Sequence, residues 1–163
     1  MAQERIRIIP LGGLGEIGRN MLVIEYEDAS GERAMIIIDA GLMFPENDML
    51  GVDIVIPDLS YVIERAERIK AIIITHGHED HVGALPYLLR RLHAPLYATR
   101  LTRGLIEVKL REARIRDAEL YTIEPKDILE LDPFRIEFFH VSHSIPDGVG
   151  LGIQTPIGLL VHS

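Results

Sequence analysis

Three imidazoles and two carboxylates fall within the six residues His76 to His81, in the stretch Thr75-His76-Gly77-His78-Glu79-Asp80-His81. The chain has no cysteine, so a bound metal must be held by histidines and carboxylates, and no thiolate nucleophile or disulfide framework is available. In an extended or tightly turned segment, residues i and i+2 share a face, which directs His76 and His78 to one position. Asp80 and His81 lie on the following turn and can reach a second. With metal–nitrogen bonds of roughly 2.0–2.1 Å and a metal–metal separation of roughly 3.5–4 Å, such a divided H-x-H-x-D-H loop suits a binuclear centre. The bland alternative is a solvated polar turn with incidental histidines. Against it stands the position of the loop directly after the apolar run Ile72-Ile73-Ile74, since functional residues of layered α/β proteins gather at the carboxyl ends of strands.

Two further residues extend the constellation. His143 follows the strand-like stretch Phe134–His140 and is a candidate third imidazole for the position of His76 and His78. Asp39 closes another isoleucine-rich run and would serve as a carboxylate behind the ligands, orienting an imidazole. His93, near a helix end, and His140, within a strand, receive no metal role; His162 stays ambiguous.

A second motif, Gly13-Leu14-Gly15-Glu16-Ile17-Gly18, matches the dinucleotide fingerprint G-x-G-x-x-G. Those glycines work by opening a helix whose amino terminus carries a pyrophosphate. Here the alternating segment Met21–Tyr26 follows and reads as a strand, so the loop is better explained as a turn between strands, with the option of close backbone approach to a bound group.

The elements that must position these residues follow from pattern. Strands are expected over Arg5–Pro10, Met21–Tyr26, Ala34–Asp39, Ala71–Thr75, Leu120–Ile123, Phe134–His140, Leu151–Gln154 and Leu159–His162. The first three form a hairpin meander, and the runs Met35–Ile38 and Ile72–Ile74 read as strands buried on both faces. Helices are expected at about Leu59–Ile69, Val82–Leu92 and Thr102–Arg114. Strands, then helices, then strands again make an α+β or layered α/β arrangement. At 163 residues one core is expected. A composition of 47% hydrophobic and 26% charged residues, with 14 Gly and 9 Pro spread along the chain, excludes disordered and collagen-like structure. Met1 to Arg7 carries charge where a signal peptide needs an apolar stretch, and no apolar run approaches the roughly 18 residues of a membrane span. A cytoplasmic chain with no membrane partner is therefore expected.

The net charge of −8 hides an asymmetry. From Arg90 to Arg116, eight basic residues face only Glu107 and Glu112, a net of +6 that leaves −14 on the remainder. The plain reading is a solvated helix face; the alternative is a guide for a polyanion, with Arg111 and Arg114 as candidate RNA-binding residues.

Taken together, these motifs resemble those of the metallo-β-lactamase superfamily, and the chain is similar to the amino-terminal part of the ribonuclease J family of β-CASP nucleases. The resemblance is carried by Leu11–Asn20, Asp39-Ala40-Gly41-Leu42-Met43-Phe44-Pro45-Glu46, Gly51-Val52-Asp53, Thr75–Pro86 and His143-Ser144-Ile145-Pro146-Asp147. It implies an α/β metallo-β-lactamase fold, four-layered (αββα) when complete. Residues 1–163 would form about the first half of that domain, with one mixed sheet and flanking helices, and without the β-CASP domain. It implies two metal ions, zinc by default with manganese possible, at His76, His78, Asp80, His81 and His143, with Asp39 supporting them and Asp80 and His81 at the catalytic position. It also implies RNA as substrate, 5′-to-3′ exonuclease and endonuclease activity in RNA processing and decay, and homo-oligomers of the full-length protein. The family's bridging aspartate and last histidine ligand would follow Ser163, so a fragment inactive alone is expected. Two other readings stand beside this one: a non-nuclease hydrolase of the same fold acting on a thioester or lactam, and an inactive interaction module.

Overall fold

The computed structural model describes residues 3–163; of the charged stretch Met1 to Arg7, Met1 and Ala2 lie outside the described residues. The chain opens as the expected meander: β1 (Arg5–Gly12), β2 (Met21–Glu27) and β3 (Arg33–Ile38), each antiparallel to the next. Asp28 closes the second hairpin, its Oδ1 accepting the backbone N–H groups of Ser30 and Glu32 at 2.8 and 2.9 Å, an Asx turn. After the short helix α1 (Ser60–Ile63), β4 (Ile69–Ile73) pairs parallel to β3. The helices α2 (Glu79–Val82) and α3 (Leu85–Leu89), the strand β5 (Leu96–Ala98), the helix α4 (Arg100–Glu112) and the strand β6 (Leu120–Thr122) complete a six-stranded mixed sheet in the order β1-β2-β3-β4-β5-β6.

Beside the mixed sheet and its flanking helices lies a second sheet. Strands β7 (Ile128–Leu131), β8 (Phe134–His140), β9 (Val149–Thr155) and β10 (Gly158–His162) form an antiparallel sheet in the order β10-β9-β8-β7. The reason lies in β8: Phe134, Ile136 and Phe138 are buried while Arg135 and Glu137 are exposed, so its single apolar face needs a cover. That cover is the face of the mixed sheet opposite the helices. Ile24, Ile36, Ile38 and Ile73 pack there against Phe134, Phe138, Leu151 and Ile153. On the other face Val23, Met35, Ile37, Ile72 and Ile74 meet Val62, Leu85, Leu88, Ile106 and Leu110 of the helices. Isoleucine runs in β3 and β4 are therefore continuous because both of their faces are covered.

Helix lengths differ from the periodicity. The expected helix over Leu59–Ile69 is α1 followed by a 3-10 turn at Ala66–Arg68. The one over Val82–Leu92 breaks into α2 and α3 at Gly83, where a Cβ would lie 2.3 Å from the Leu42 side chain, and restarts with Pro86 in its first turn, where proline costs no hydrogen bond. α4 keeps its register, burying Thr102, Ile106 and Leu110, an i, i+4, i+8 stripe. β5 and β7, three and four residues long, are too short for alternation to reveal. Among the described residues no helix is long and apolar enough to cross a membrane.

Candidate metal centre

Parallel pairing of β3 with β4 brings their carboxyl ends side by side, and Asp39 N–H donates to Ile73 O at 2.9 Å. Asp39 is buried and sits at φ +61°, a left-handed conformation uncommon outside glycine. Its carboxylate accepts Thr75 N–H and Thr75 Oγ1–H, both at 2.8 Å, and lies 2.7 Å from His81 Nδ1. Holding a proton at Nδ1 leaves His81 Nε2 as the ligating atom. The backbone locks the same geometry: Ala40 N–H donates to His81 O and Leu42 N–H to Glu79 O, at 2.8 and 3.1 Å. A Cβ on Gly41 would lie 1.5 Å from Asp80 O, so only glycine permits this approach.

His76, His78 and His143 converge. His78 Nδ1 lies 3.1 Å from His76 Nε2 and 3.2 Å from His143 Nε2, and one ring nitrogen from each falls within 4.8 Å of the others. A tetrahedral site with bonds of 2.0–2.1 Å has ligand–ligand edges of roughly 3.3 Å, so the donor set fits one divalent cation. His143 is delivered by the loop between β8 and β9. Val149 N–H donates to Thr75 O at 3.0 Å, and Asp147 Oδ2 accepts Leu101 N–H at the start of α4, also at 3.0 Å. Asp80 and His81 form the neighbouring pair, with Asp80 Oδ2 3.5 Å from His81 Nε2 and the His76 and His81 rings 4.0 Å apart.

The electrostatics prepare these groups differently. Burial, then the neighbouring positive charge of His81, push His76 down to about 4 against the pull of Asp39, so its imidazole stays neutral and able to ligate. For His81, burial opposes the charged form, but the hydrogen bond it donates to Asp39 and the charges of Asp39 and Asp80 outweigh burial and hold this residue above its ordinary value. A cleft of about 520 Å³ opens over the group, lined by Asn20, His76, His81, His143 and His162 among others.

Not every candidate joins. Arg111 and Arg114 lie at the end of α4 and just beyond it, around a separate depression of about 350 Å³. Because α4 runs from the carboxyl end of β5 back to the amino end of β6, this depression is at the opposite end of the sheet from the imidazoles. Asn20, by contrast, had no assigned role in the sequence and stands in the site; a polar residue between a glycine-rich loop and a strand carries no local signal of that.

A six-stranded mixed sheet backed by a second sheet thus carries a cluster of histidines and carboxylates at its strand ends. The chain belongs to the metallo-beta-lactamase superfamily, whose family model matches residues 14–155. It is 46% identical over 159 residues to ribonuclease J2 of Bacillus subtilis (strain 168), covering 97% of this chain, and 46% identical over the same share to ribonuclease J 2 of Staphylococcus aureus (strain MRSA252). The chain spans 28% of the length of these relatives. A protein of unknown function from Enterococcus faecalis V583 shares the fold, with a TM-score of 0.68 at 19% identity over 96% of this chain and 42% of that one.

Proposed function

We propose that the chain is part of a metal-dependent ribonuclease of the ribonuclease J type, hydrolysing RNA phosphodiesters by 5′-to-3′ exonucleolytic and endonucleolytic cleavage in cytoplasmic RNA processing and decay. The observation that carries this is the convergence of His76, His78 and His143 beside the pair Asp80 and His81, on a chain 46% identical to ribonuclease J relatives. His76, His78 and His143 would hold one ion, and Asp80 and His81 would contribute to a second; zinc is the default and manganese is compatible with nitrogen and oxygen donors. When bound, such a pair of cations lowers the pKa of a coordinated water toward neutrality and stabilises charge developing on phosphorus. The chain's own residues set the stage: Asp39 fixes the His81 tautomer, burial keeps His76 neutral, and the cleft admits a phosphodiester. Homo-oligomerisation of the full-length protein belongs to the same reading. Arg111 and Arg114 would touch RNA along backbone well removed from the scissile bond.

Within the described residues the first position has three ligands and the second only two, so the 163-residue chain alone should turn over negligibly. The test compares this chain with a longer form on 5′-monophosphorylated RNA, and on a thioester and a lactam, with zinc and then manganese. RNA hydrolysis by the longer form alone, abolished by His78→Ala, is the expected result. Hydrolysis of the thioester or lactam but not of RNA would overturn it.

A further inference from the structure

The glycine-rich loop opens no helix, and nothing proposed above uses it. Between β1 and β2 the chain passes through Gly13, Gly15 and Gly18 at φ +82°, +75° and +100°, then Arg19 at +54°. Glu16 closes the loop on itself, accepting Gly13 N–H at 3.1 Å and pairing with Arg19. The returning arm lies directly on the departing one: a Cβ on Gly12 would be 2.1 Å from Arg19 O, and one on Gly13 would be 2.4 Å from Asn20 Oδ1. Two adjacent glycines thus make the room in which Asn20 sits.

Asn20 is delivered to the second ligand pair. Its backbone N–H donates to Asp80 O at 3.0 Å and its O accepts Gly41 N–H at 2.9 Å. Its side chain does something separate. Nδ2 lies 3.0 Å from Asp80 Oδ2, 3.1 Å from Asp80 O and 3.2 Å from His81 Nε2. The reversed amide would set Oδ1 against a carboxylate and a carbonyl oxygen, so the NH2 group must face this way. In the neutral, metal-ligating form of His81, with Asp39 on Nδ1, Nε2 presents its lone pair toward Asp80 Oδ2, and two electron-rich atoms 3.5 Å apart repel unless positive charge lies between them.

We propose that Asn20 is a positioning residue for a divalent cation at Asp80 and His81. Its carboxamide hydrogens stand in for the cation in the metal-free chain and keep the two ligands converged, so that little reorganisation accompanies binding. The glycine-rich loop exists, on this account, to carry that amide. The inference rests on the two-metal reading above.

The test uses the full chain, stripped of metal with a chelator, as wild type, Asn20→Leu (similar size, no donor) and Gly13→Ala (a methyl group against Asn20 Oδ1). Cobalt(II) spectra and zinc calorimetry resolve the two positions, and long-range proton–nitrogen NMR at one fixed pH reports on His81 Nε2 without metal. Asn20→Leu should weaken the Asp80/His81 position by about 10–100-fold while the three-imidazole position keeps its affinity, and the metal-free His81 Nε2 resonance should move; Gly13→Ala should act in the same direction. Unchanged affinities with an unmoved resonance would overturn the proposal, as would equal weakening of both positions together with a lower metal-free melting temperature, which marks a purely structural residue. A wild type that takes up a single cation sinks the two-metal reading instead. In that case a resonance moved by Asn20→Leu upholds Asn20 as the residue that holds the pair, and an unmoved one overturns it.

Discussion

Asp39 and His81 face each other across the ends of two parallel strands, carboxylate Oδ2 to ring Nδ1 at 2.7 Å. The contact links a residue of the β3 exit to the last histidine of the β4 exit, so the orientation of His81 is set from outside its own loop.

Replacing this carboxylate should therefore uncouple the loops. Asp39→Asn keeps the shape but can no longer accept at both oxygens from Thr75 and His81. A loss of about 1–3 kcal/mol in unfolding free energy is expected for a buried, partly unsatisfied group, with affinity at the Asp80/His81 position down by about 10–100-fold. Denaturant titration and calorimetry measure both; wild-type values in either would remove Asp39 from its supporting role.

Zinc should stabilise the folded chain through the three imidazoles. At a free concentration of about 100 times Kd the gain is about 2.7 kcal/mol, read as a rise in Tm. His78→Ala, which removes the nitrogen shared by both short contacts, should erase most of that rise. A full zinc-dependent shift in the variant would show that the metal binds elsewhere.

Acidification of the metal-free chain carries a signed prediction. His76 is lowered to about 4 from an ordinary value near 6.5, so as pH falls the unfolded state takes up a proton before the folded state does. Its contribution is present above about pH 6.5 and is lost progressively toward pH 4. His81, raised by Asp39 and Asp80 over the opposing effect of burial, acts in reverse: its contribution is full below its unfolded value and fades as pH rises through the folded one. Melting temperatures across this range should show a shallower acid slope for His76→Asn and a shallower fall on the alkaline side for His81→Asn. Slopes identical to wild type would contradict both assignments.

Two glycines separate close approach from mere permissiveness. Gly41→Ala places a methyl group 1.5 Å from Asp80 O and should destabilise by about 1–3 kcal/mol or more, as overpacking does, while shifting the Asp80–His81 segment. Gly104, inside α4 with nothing within 4 Å of its missing Cβ, should respond oppositely: Gly104→Ala should gain about 0.4–1 kcal/mol. Chemical denaturation distinguishes the two, and a stable Gly41→Ala would mean that the strand-end loops can move apart.

Much of this architecture was legible in one dimension. Absence of cysteine fixed the kind of ligand, the i, i+2 spacing placed His76 and His78 together, and the unbroken isoleucines of β3 and β4 announced strands covered on both faces. These properties follow from backbone stereochemistry and side-chain type, which act over a few residues and need no distant partner. Tertiary structure alone decided the rest. It set His143 3.2 Å from His78 across 65 positions of sequence, gave the orientation of His81 to Asp39, turned a loop resembling a nucleotide fingerprint into the carrier of Asn20, and sent Arg111 and Arg114 to the far end of the sheet. Each of these depends on which strands pair, and in which direction. That choice is made by burying two faces of one sheet at once, a condition that no local stretch of sequence contains.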